Sequence, residues 1–188
     1  KKIPWDTSRE FPVPDIRLVH DKGQTMKILR DYAREKYGSE FGIGSEHIVD
    51  YSSHFVDFTM SNGILYGKQD FTELMRYTFP EIKFSNRNQR DDLDVERRVN
   101  MTLLKGLCND IEIYRCRGLI DQTPRYQAYL AAVNGIRERY KDCFMFGRFR
   151  DILGFNSSNK KVQAKSFVGE KRMVVAATNE FEKGVIST

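Results

Sequence analysis

Three carboxylates lie close together in the first third of the sequence, at Glu46, Asp50 and Asp57. Hydrolysis of a glycosidic bond uses two carboxyl groups, one that donates a proton and one that attacks the sugar or activates water. Asp50, His54 and Asp57 follow one another at spacings of four and three residues, which place side chains on one face of a helix. We therefore take the three acids as catalytic candidates. The alternative is that Asp50 and Asp57 are solvated charges on a helix face or acidic charges at the N-terminus of a helix.

Glu46 comes shortly after an apolar segment, Phe41–Ile43, that predicts a short strand. In α/β folds the carboxyl ends of the strands usually carry the catalytic side chains. A carboxylate at a strand end is therefore well placed for general acid or base catalysis. Glu46 is the first candidate for that role, with Asp50 or Asp57 as the second carboxylate or as a ligand of a sugar hydroxyl.

Several aromatic and polar residues are candidates for contact with a sugar, because flat rings stack on sugar faces and polar groups pair with hydroxyls. The candidates for substrate binding are Trp5, His47, Tyr51, His54, Glu81 and Arg87. Trp5 lies in a proline-rich start that predicts an irregular loop, and its alternative role is to anchor that loop on the core. For the two histidines the alternative is hydrogen bonding within the fold. Glu73 and Arg76, by contrast, predict an ion-paired helix surface.

The sequence indicates neither a metal nor a cofactor. Its histidines and cysteines have no metal-ligand or redox spacing. Gly42 and Gly44 lack the third glycine of a dinucleotide-binding turn. Ser45 is not in a Gly-x-Ser-x-Gly nucleophile turn, because a histidine stands at position 47. We expect hydrolysis without a redox cofactor.

The composition is that of a globular protein with a mild positive charge. Hydrophobic residues make up 40% of the chain, which is enough to bury a core. The 31 basic and 26 acidic residues are interspersed, and this argues against a nucleic-acid-binding stripe. No apolar run reaches the length of a membrane span. We therefore expect a carbohydrate substrate, no nucleic acid and no membrane span.

Helical periodicity accounts for much of residues 1–140. Helices are predicted at 24–37, 70–77, 94–108 and 124–140. Thr25 is the predicted N-cap of the first helix, and Gly38 is its C-cap. A short strand is predicted at Ile82–Phe84, with Ser85-Asn86-Arg87 at its end.

The last predicted helix begins at Thr123-Pro124, with proline at the first helical position. Its inward stripe includes Ile136, and Arg137 is predicted to face outward. After Tyr140 the pattern changes to short β-rich runs, among them Val162–Val168, separated by Gly, Asn and Ser turns. We therefore divide the chain into an α/β domain, residues 1–140, and the start of an antiparallel β module, residues 141–188.

Three segments, Phe41–Asp50, Arg76–Arg87 and Ile111–Arg115, the last preceded by a long helix, resemble the last part of glycoside-hydrolase-like TIM barrels of Bacteroides-type gut bacteria. Many of those proteins are known only as domains of unknown function. The resemblance implies late strands of a (β/α)8-like barrel, closed by a helix pair at 94–140 and followed by a β-sandwich module. It also implies a periplasmic or secreted protein, in which Glu46 or Asp50 matches the acid at a late barrel strand.

A complete barrel takes about 250 residues, so residues 1–140 supply only its late part. We therefore expect a partner, either the missing N-terminal part of the same chain or a further copy in a homo-oligomer, because a half-barrel exposes sheet edges. The predicted function is a glycoside hydrolase that uses carboxylate acid/base catalysis. The alternative, from a different class, is a non-catalytic carbohydrate- or protein-binding module of α+β type, in which the same acids are surface groups.

Overall fold

The computed structural model describes residues 17–46, 48, 50–61, 72–89, 94–111 and 120–179. Contacts divide the chain into two compact units, residues 1–59 and 60–188, and each is described by itself. The described part is mixed α/β, as the sequence predicts, and contains parallel strand pairs and a separate antiparallel sheet. Within it, no helix combines the length and the apolarity needed to cross a bilayer.

The first unit contains one long helix and several short elements. These are α1 (Arg17–Tyr37), β1 (Gly44–Ser45), α2 (Asp50–Ser53) and β2 (Phe58–Ser61), of which β2 only begins in this unit. β1 and β2 are parallel, with Gly44 opposite Phe58. Glycine at this position leaves room for the Phe58 ring, which a Cβ atom would overlap in this conformation. β1 thus lies after the predicted Phe41–Ile43 strand, and its carboxyl end adjoins Glu46 directly.

The ends of α1 test the two predicted helix caps, Thr25 and Gly38. The helix begins at Arg17, so the prediction of Thr25 as N-cap is wrong. Thr25 lies inside the helix, where its Oγ1 donates a hydrogen bond to the Asp21 carbonyl oxygen at 2.9 Å. The C-cap prediction is confirmed: Gly38 has a φ of 102°, and its N–H donates to the Arg34 carbonyl oxygen at 3.0 Å.

The second helix is shorter than the sequence pattern predicts. α2 ends at Ser53, and Asp57 lies beyond it, next to β2. The Asp57 N–H donates to the Ile43 carbonyl oxygen at 2.8 Å, so pairing with the segment before β1 replaces a further helical turn. The prediction that Asp50, His54 and Asp57 share one helix face is therefore wrong.

The second unit alternates helices with strands and ends in an antiparallel sheet. Its helices are α3 (Thr72–Thr78), α4 (Val95–Leu104), α5 (Pro124–Arg139) and α6 (Lys141–Phe144), and a 3-10 turn spans Ile120–Gln122. Its strands are β3 (Lys83–Gln89), β4 (Cys108–Ile111), β5 (Arg148–Asp151), β6 (Val162–Val168) and β7 (Met173–Asn179). β3 and β4 are parallel, whereas β5, β6 and β7 are antiparallel neighbours in that order.

Two apolar clusters form the core of the second unit. One joins α4 to α5 and consists of Val95, Val99, Tyr126, Leu130 and Val133. The other joins α6 to the antiparallel sheet and consists of Cys143, Phe144, Phe149 and Phe167. Leu103 of α4 packs against both clusters. The antiparallel sheet therefore shares its core with the preceding helices, and each large side chain buried there contributes about 1.5–3 kcal/mol.

Helix α5 begins where the sequence predicts, but near its end the buried face is not the predicted one. Pro124 is its first residue, as predicted. Ile136 is exposed and Arg137 is buried, so the two predicted orientations are wrong. Arg137 Nη2 donates to the carbonyl oxygens of Thr102, at 3.3 Å, and of Leu107. These bonds offset part of the cost of burying the guanidinium, although its Nε has no hydrogen-bond partner among the described residues.

Two further boundaries differ from the predictions. β3 continues to Gln89, so Ser85-Asn86-Arg87 lie inside the strand rather than at its end. α4 ends at Leu104, earlier than predicted, because the chain turns at Gly106 with a φ of 64°. β6 covers Val162–Val168 as predicted. The barrel, the domain boundary near residue 141 and the β-sandwich stay predictions.

Candidate functional site

Glu46 directly follows the carboxyl end of β1, and its side chain is exposed. It forms no hydrogen bond or ion pair with the residues that the structure describes. Nothing in that part of the chain therefore neutralises or fixes this carboxylate. An exposed acid at the end of a parallel strand is able to exchange a proton with a bound ligand.

Asp57, in contrast, is held by the fold. Its Oδ1 accepts a hydrogen bond from Arg34 Nη2 at 2.8 Å, and its Oδ2 accepts one from the Ile43 N–H at 2.8 Å. Hydrogen bonds to a charged group contribute about 1.5–3 kcal/mol each when buried, and less at a partly exposed site such as this one. Both carboxylate oxygens are occupied, and they fix the start of β2 against the segment before β1. This is a positioning role.

For the other candidate acid and for two of the binding candidates, the structure gives no side-chain position. Asp50 is the first residue of α2, and only its backbone is described. Trp5 and His47 lie outside the described residues. Their roles stay predictions.

Tyr51 lies between α1 and α2 and serves the packing of these helices. Its hydroxyl accepts a hydrogen bond from Gln24 Nε2. The His20 ring stacks on it with centroids 5.2 Å apart, and the Phe55 ring meets it edge-on at 5.5 Å. On the α1 side, Gly23 leaves room for the ring, because a Cβ atom there would overlap it. Tyr51 is thus a half-buried contact residue, with one face already covered by His20.

His54 is exposed in the turn after α2. Its ring lies edge-on to Phe55, with centroids 6.2 Å apart. Its carbonyl oxygen accepts a hydrogen bond from Arg30 Nη1 at 2.8 Å, and the Arg30 guanidinium lies 5.1 Å from the Phe55 ring centre. The imidazole of His54 is therefore free to meet a ligand, while its backbone ties the turn to α1.

Glu81 and Arg87 lie at different ends of β3. Glu81 is in the turn before the strand, at its amino end, and Arg87 is near its carboxyl end, where the register places it opposite Asp110 of β4. The structure therefore does not bring these two binding candidates together. Asp110 is a carboxylate in this parallel strand, and the sequence pattern did not indicate it. The helix predicted at 94–108 overlaps the start of β4, so the beginning of the strand was missed.

A cleft of about 440 Å³ in the second unit brings Glu81 together with residues that the sequence did not indicate as binding candidates. We call it the basic cleft, because four cationic side chains and one carboxylate are among its lining residues. These are Arg76, Lys83, Arg148, Arg150 and Glu81. Burial lowers the pKa of Arg76, and burial together with the nearby Arg76 charge lowers the pKa of Lys83.

The predicted ion pair on the surface of α3 is wrong. Glu73 pairs instead with Lys105 and Lys165, at 3.4 and 3.3 Å. Arg76 is buried rather than solvated, with 5% of its surface exposed. The three-residue spacing of Glu73 and Arg76 on one helix predicted an ion pair between them. Tertiary contacts instead direct Glu73 to the two lysines and bury Arg76.

No group of three or more His, Cys, Asp and Glu side chains is placed to hold a metal ion among the described residues. No family model matches the chain, and neither a curated protein nor a solved structure matches it. Glu46 and the basic cleft are therefore the two places in the described part of the chain whose geometry indicates a function.

Proposed function

We propose that the chain is part of a glycoside hydrolase in which Glu46 is the general acid/base. The observation that carries the proposal is an exposed carboxylate, without a partner among the described residues, directly after the carboxyl end of a parallel strand. A glycosidase needs a carboxyl group that protonates the leaving oxygen of the scissile bond. Glu46 is free to take that role, because no hydrogen bond to the described residues competes for its oxygens.

A second carboxylate must attack the sugar or activate water. Asp57 is poorly suited, because Arg34 and the Ile43 N–H occupy both of its oxygens. Asp50, at the start of α2, remains the candidate within this chain. In the proposed site Asp57 holds β2 against the segment that leads to β1, and it thereby positions the backbone that precedes Glu46.

The proposal extends to the fold and the surroundings of the protein. The alternation of helices with parallel strands supports a (β/α)8-like barrel, of which this chain is the C-terminal part, and the antiparallel sheet β5–β7 begins a β-sandwich module. The barrel is completed by an N-terminal part of the same protein or by assembly with further copies. The protein acts on a carbohydrate in the periplasm or outside the cell.

A non-catalytic carbohydrate- or protein-binding module is the second candidate. The fixed Asp57 favours it, because one of the three predicted catalytic acids is engaged in holding the fold. In such a module Glu46 is a surface group, and the protein binds a glycan without turnover.

Turnover of a panel of glycans with natural linkages by the wild type and Glu46→Gln separates the two candidates. The hydrolase proposal expects wild-type turnover that falls on the order of 10²–10⁴-fold in the variant, because glutamine cannot donate the proton. Glu40→Gln is the matched control, since Glu40 is an exposed turn residue in the same unit and should retain full activity. Equal activity of wild type and Glu46→Gln would contradict the role of Glu46. Glycan binding without any turnover would replace the hydrolase by the binding module.

A further inference from the structure

We propose that the basic cleft is a binding site for the anionic group of an acidic sugar. The cleft lies at the amino end of β3 and is bounded by α3, the turn before β3 and the segment 146–150. The proposal goes beyond the proposed function, because none of the catalytic candidates lines this cleft. It requires only binding, and it holds whether or not the protein turns over a glycan.

Arg76 is the innermost cation of the cleft. Only 5% of its surface is exposed, and it forms no ion pair with a described carboxylate. Its Nη1 donates to the Ile82 carbonyl oxygen at 3.4 Å, a long hydrogen bond, and its Nε has no hydrogen-bond partner in the described part of the chain. Charged groups that are buried this deeply are normally paired. The Arg76 guanidinium lies 5.8 Å from the Phe149 ring centre, and an anion in the cleft would supply the charged partner that the described residues do not.

Lys83 places a second cation beside Arg76. It is half-buried at the start of β3, and its Nζ donates to the Met145 carbonyl oxygen. Burial lowers its pKa, and repulsion by Arg76 lowers it further. Two like charges in a poorly solvated place repel each other unless an opposite charge lies between or beside them.

Two more cations line the same cleft from β5. Arg148 and Arg150 are exposed, and neither forms an ion pair with a described residue. Glu81 is the carboxylate of the lining, and it too is exposed and without an ion pair in that part of the chain. Four cations against one carboxylate leave a formal charge of +3 at the cleft. Arginine is suited to carboxylate and sulfate groups, because its planar fork donates two parallel hydrogen bonds.

Aromatic rings at the cleft point to a ligand with a ring rather than to a bare ion. Phe146 is 77% exposed and Tyr77 is 45% exposed, and both line the cleft. A ligand ring that covers Phe146 would remove apolar surface from water, which is favourable. A sugar that carries a carboxylate or a sulfate meets both features, with its charge at the cations and its ring on the aromatic face.

Calorimetric or NMR titration of the whole chain with glucuronate, glucose and inorganic sulfate tests the proposal. We expect glucuronate to bind, glucose to bind at least about tenfold more weakly, and added salt to weaken the glucuronate complex. Arg148→Gln/Arg150→Gln should weaken glucuronate binding by about tenfold or more. The matched control Arg139→Gln/Lys171→Gln removes two exposed charges elsewhere in the same unit and should bind as the wild type does.

A second readout does not depend on the folding of a variant. In the wild type, glucuronate should protect Arg148 and Arg150 from modification by phenylglyoxal, as seen by peptide mass spectrometry, and glucose should not. Equal binding of glucose and glucuronate would overturn the proposal, as would an equal loss of affinity in the control variant. Binding of sulfate without binding of glucuronate would overturn the assignment to an acidic sugar. All of these are binding measurements, so their failure is distinct from a loss of glycan turnover.

Discussion

Two groups of cations in the second unit have opposite environments. Lys105 and Lys165 both contact Glu73, and Lys165 also pairs with Asp151. In the basic cleft, Arg76 and Lys83 have no carboxylate partner among the described residues. Glu73 and Arg76 belong to the same short helix, α3, so this difference arises within a single element. One carboxylate of α3 thus pairs with two cations, whereas the cation of the same helix is buried without a carboxylate partner in the described part of the chain.

The largest expected effect in this comparison is the loss of the Glu73 carboxylate. Glu73→Ala leaves Lys105, which is 7% exposed, without this ion-pair partner, and we expect unfolding to become easier by about 2–3 kcal/mol. Urea unfolding measures the change. Glu96→Ala is the matched control, because Glu96 also lies in the first turn of a helix and pairs with a distant cation, the exposed Arg125. Its cost should stay below about 1 kcal/mol. An equal loss of unfolding free energy in the two variants would contradict the view that the buried pair of Glu73 stabilises the fold more than the exposed pair of Glu96.

The next prediction concerns the free energy of unfolding after replacement of Arg76, which we expect to change little. Arg76→Met removes a buried cation that has no carboxylate partner, and the free energy of unfolding should change by no more than about 1 kcal/mol in either direction. Arg137→Met is the control, since Arg137 is also buried but donates to two carbonyl oxygens, and its loss should cost about 2–3 kcal/mol. A cost for Arg76→Met as large as that for Arg137→Met would mean that Arg76 serves the fold rather than a ligand.

The smallest expected effect is a pH dependence due to Lys83. Burial and the Arg76 charge lower the pKa of this lysine in the folded protein. Between its folded pKa and its ordinary value, the unfolded chain binds more protons than the folded one. The free energy of unfolding should therefore rise with pH in that window because of Lys83. Lys83→Met should flatten this rise in urea unfolding measured across alkaline pH, whereas identical slopes for the two proteins would show that Lys83 is not perturbed.

Local signals in the sequence predicted several elements correctly. Pro124 marks the start of α5, Gly38 ends α1, and a β-rich run between turns gives β6 its bounds. Each of these signals acts through backbone geometry within a few residues. The position of Glu46 at a strand end also follows from local pattern, although the strand itself lies slightly later than predicted.

Tertiary contacts explain the predictions that failed. Arg76 and Arg137 stand in helices at positions that read as solvated, yet both are buried because other elements pack over them. Asp57 continues a helical spacing, but its bonds to Ile43 and Arg34 place it outside α2. The basic cleft joins residues from α3, the start of β3 and β5, and no spacing along the chain indicates that they meet.

The most direct test of the proposed acid role of Glu46 is a comparison of leaving groups. A general acid matters most when the leaving oxygen is a poor leaving group, and least when it departs without protonation. For Glu46→Gln, we expect kcat/KM to fall at least about 100-fold more for a natural glycan linkage than for the dinitrophenyl glycoside of the same sugar. Equal losses for the two substrates would contradict the assignment of Glu46 as the proton donor.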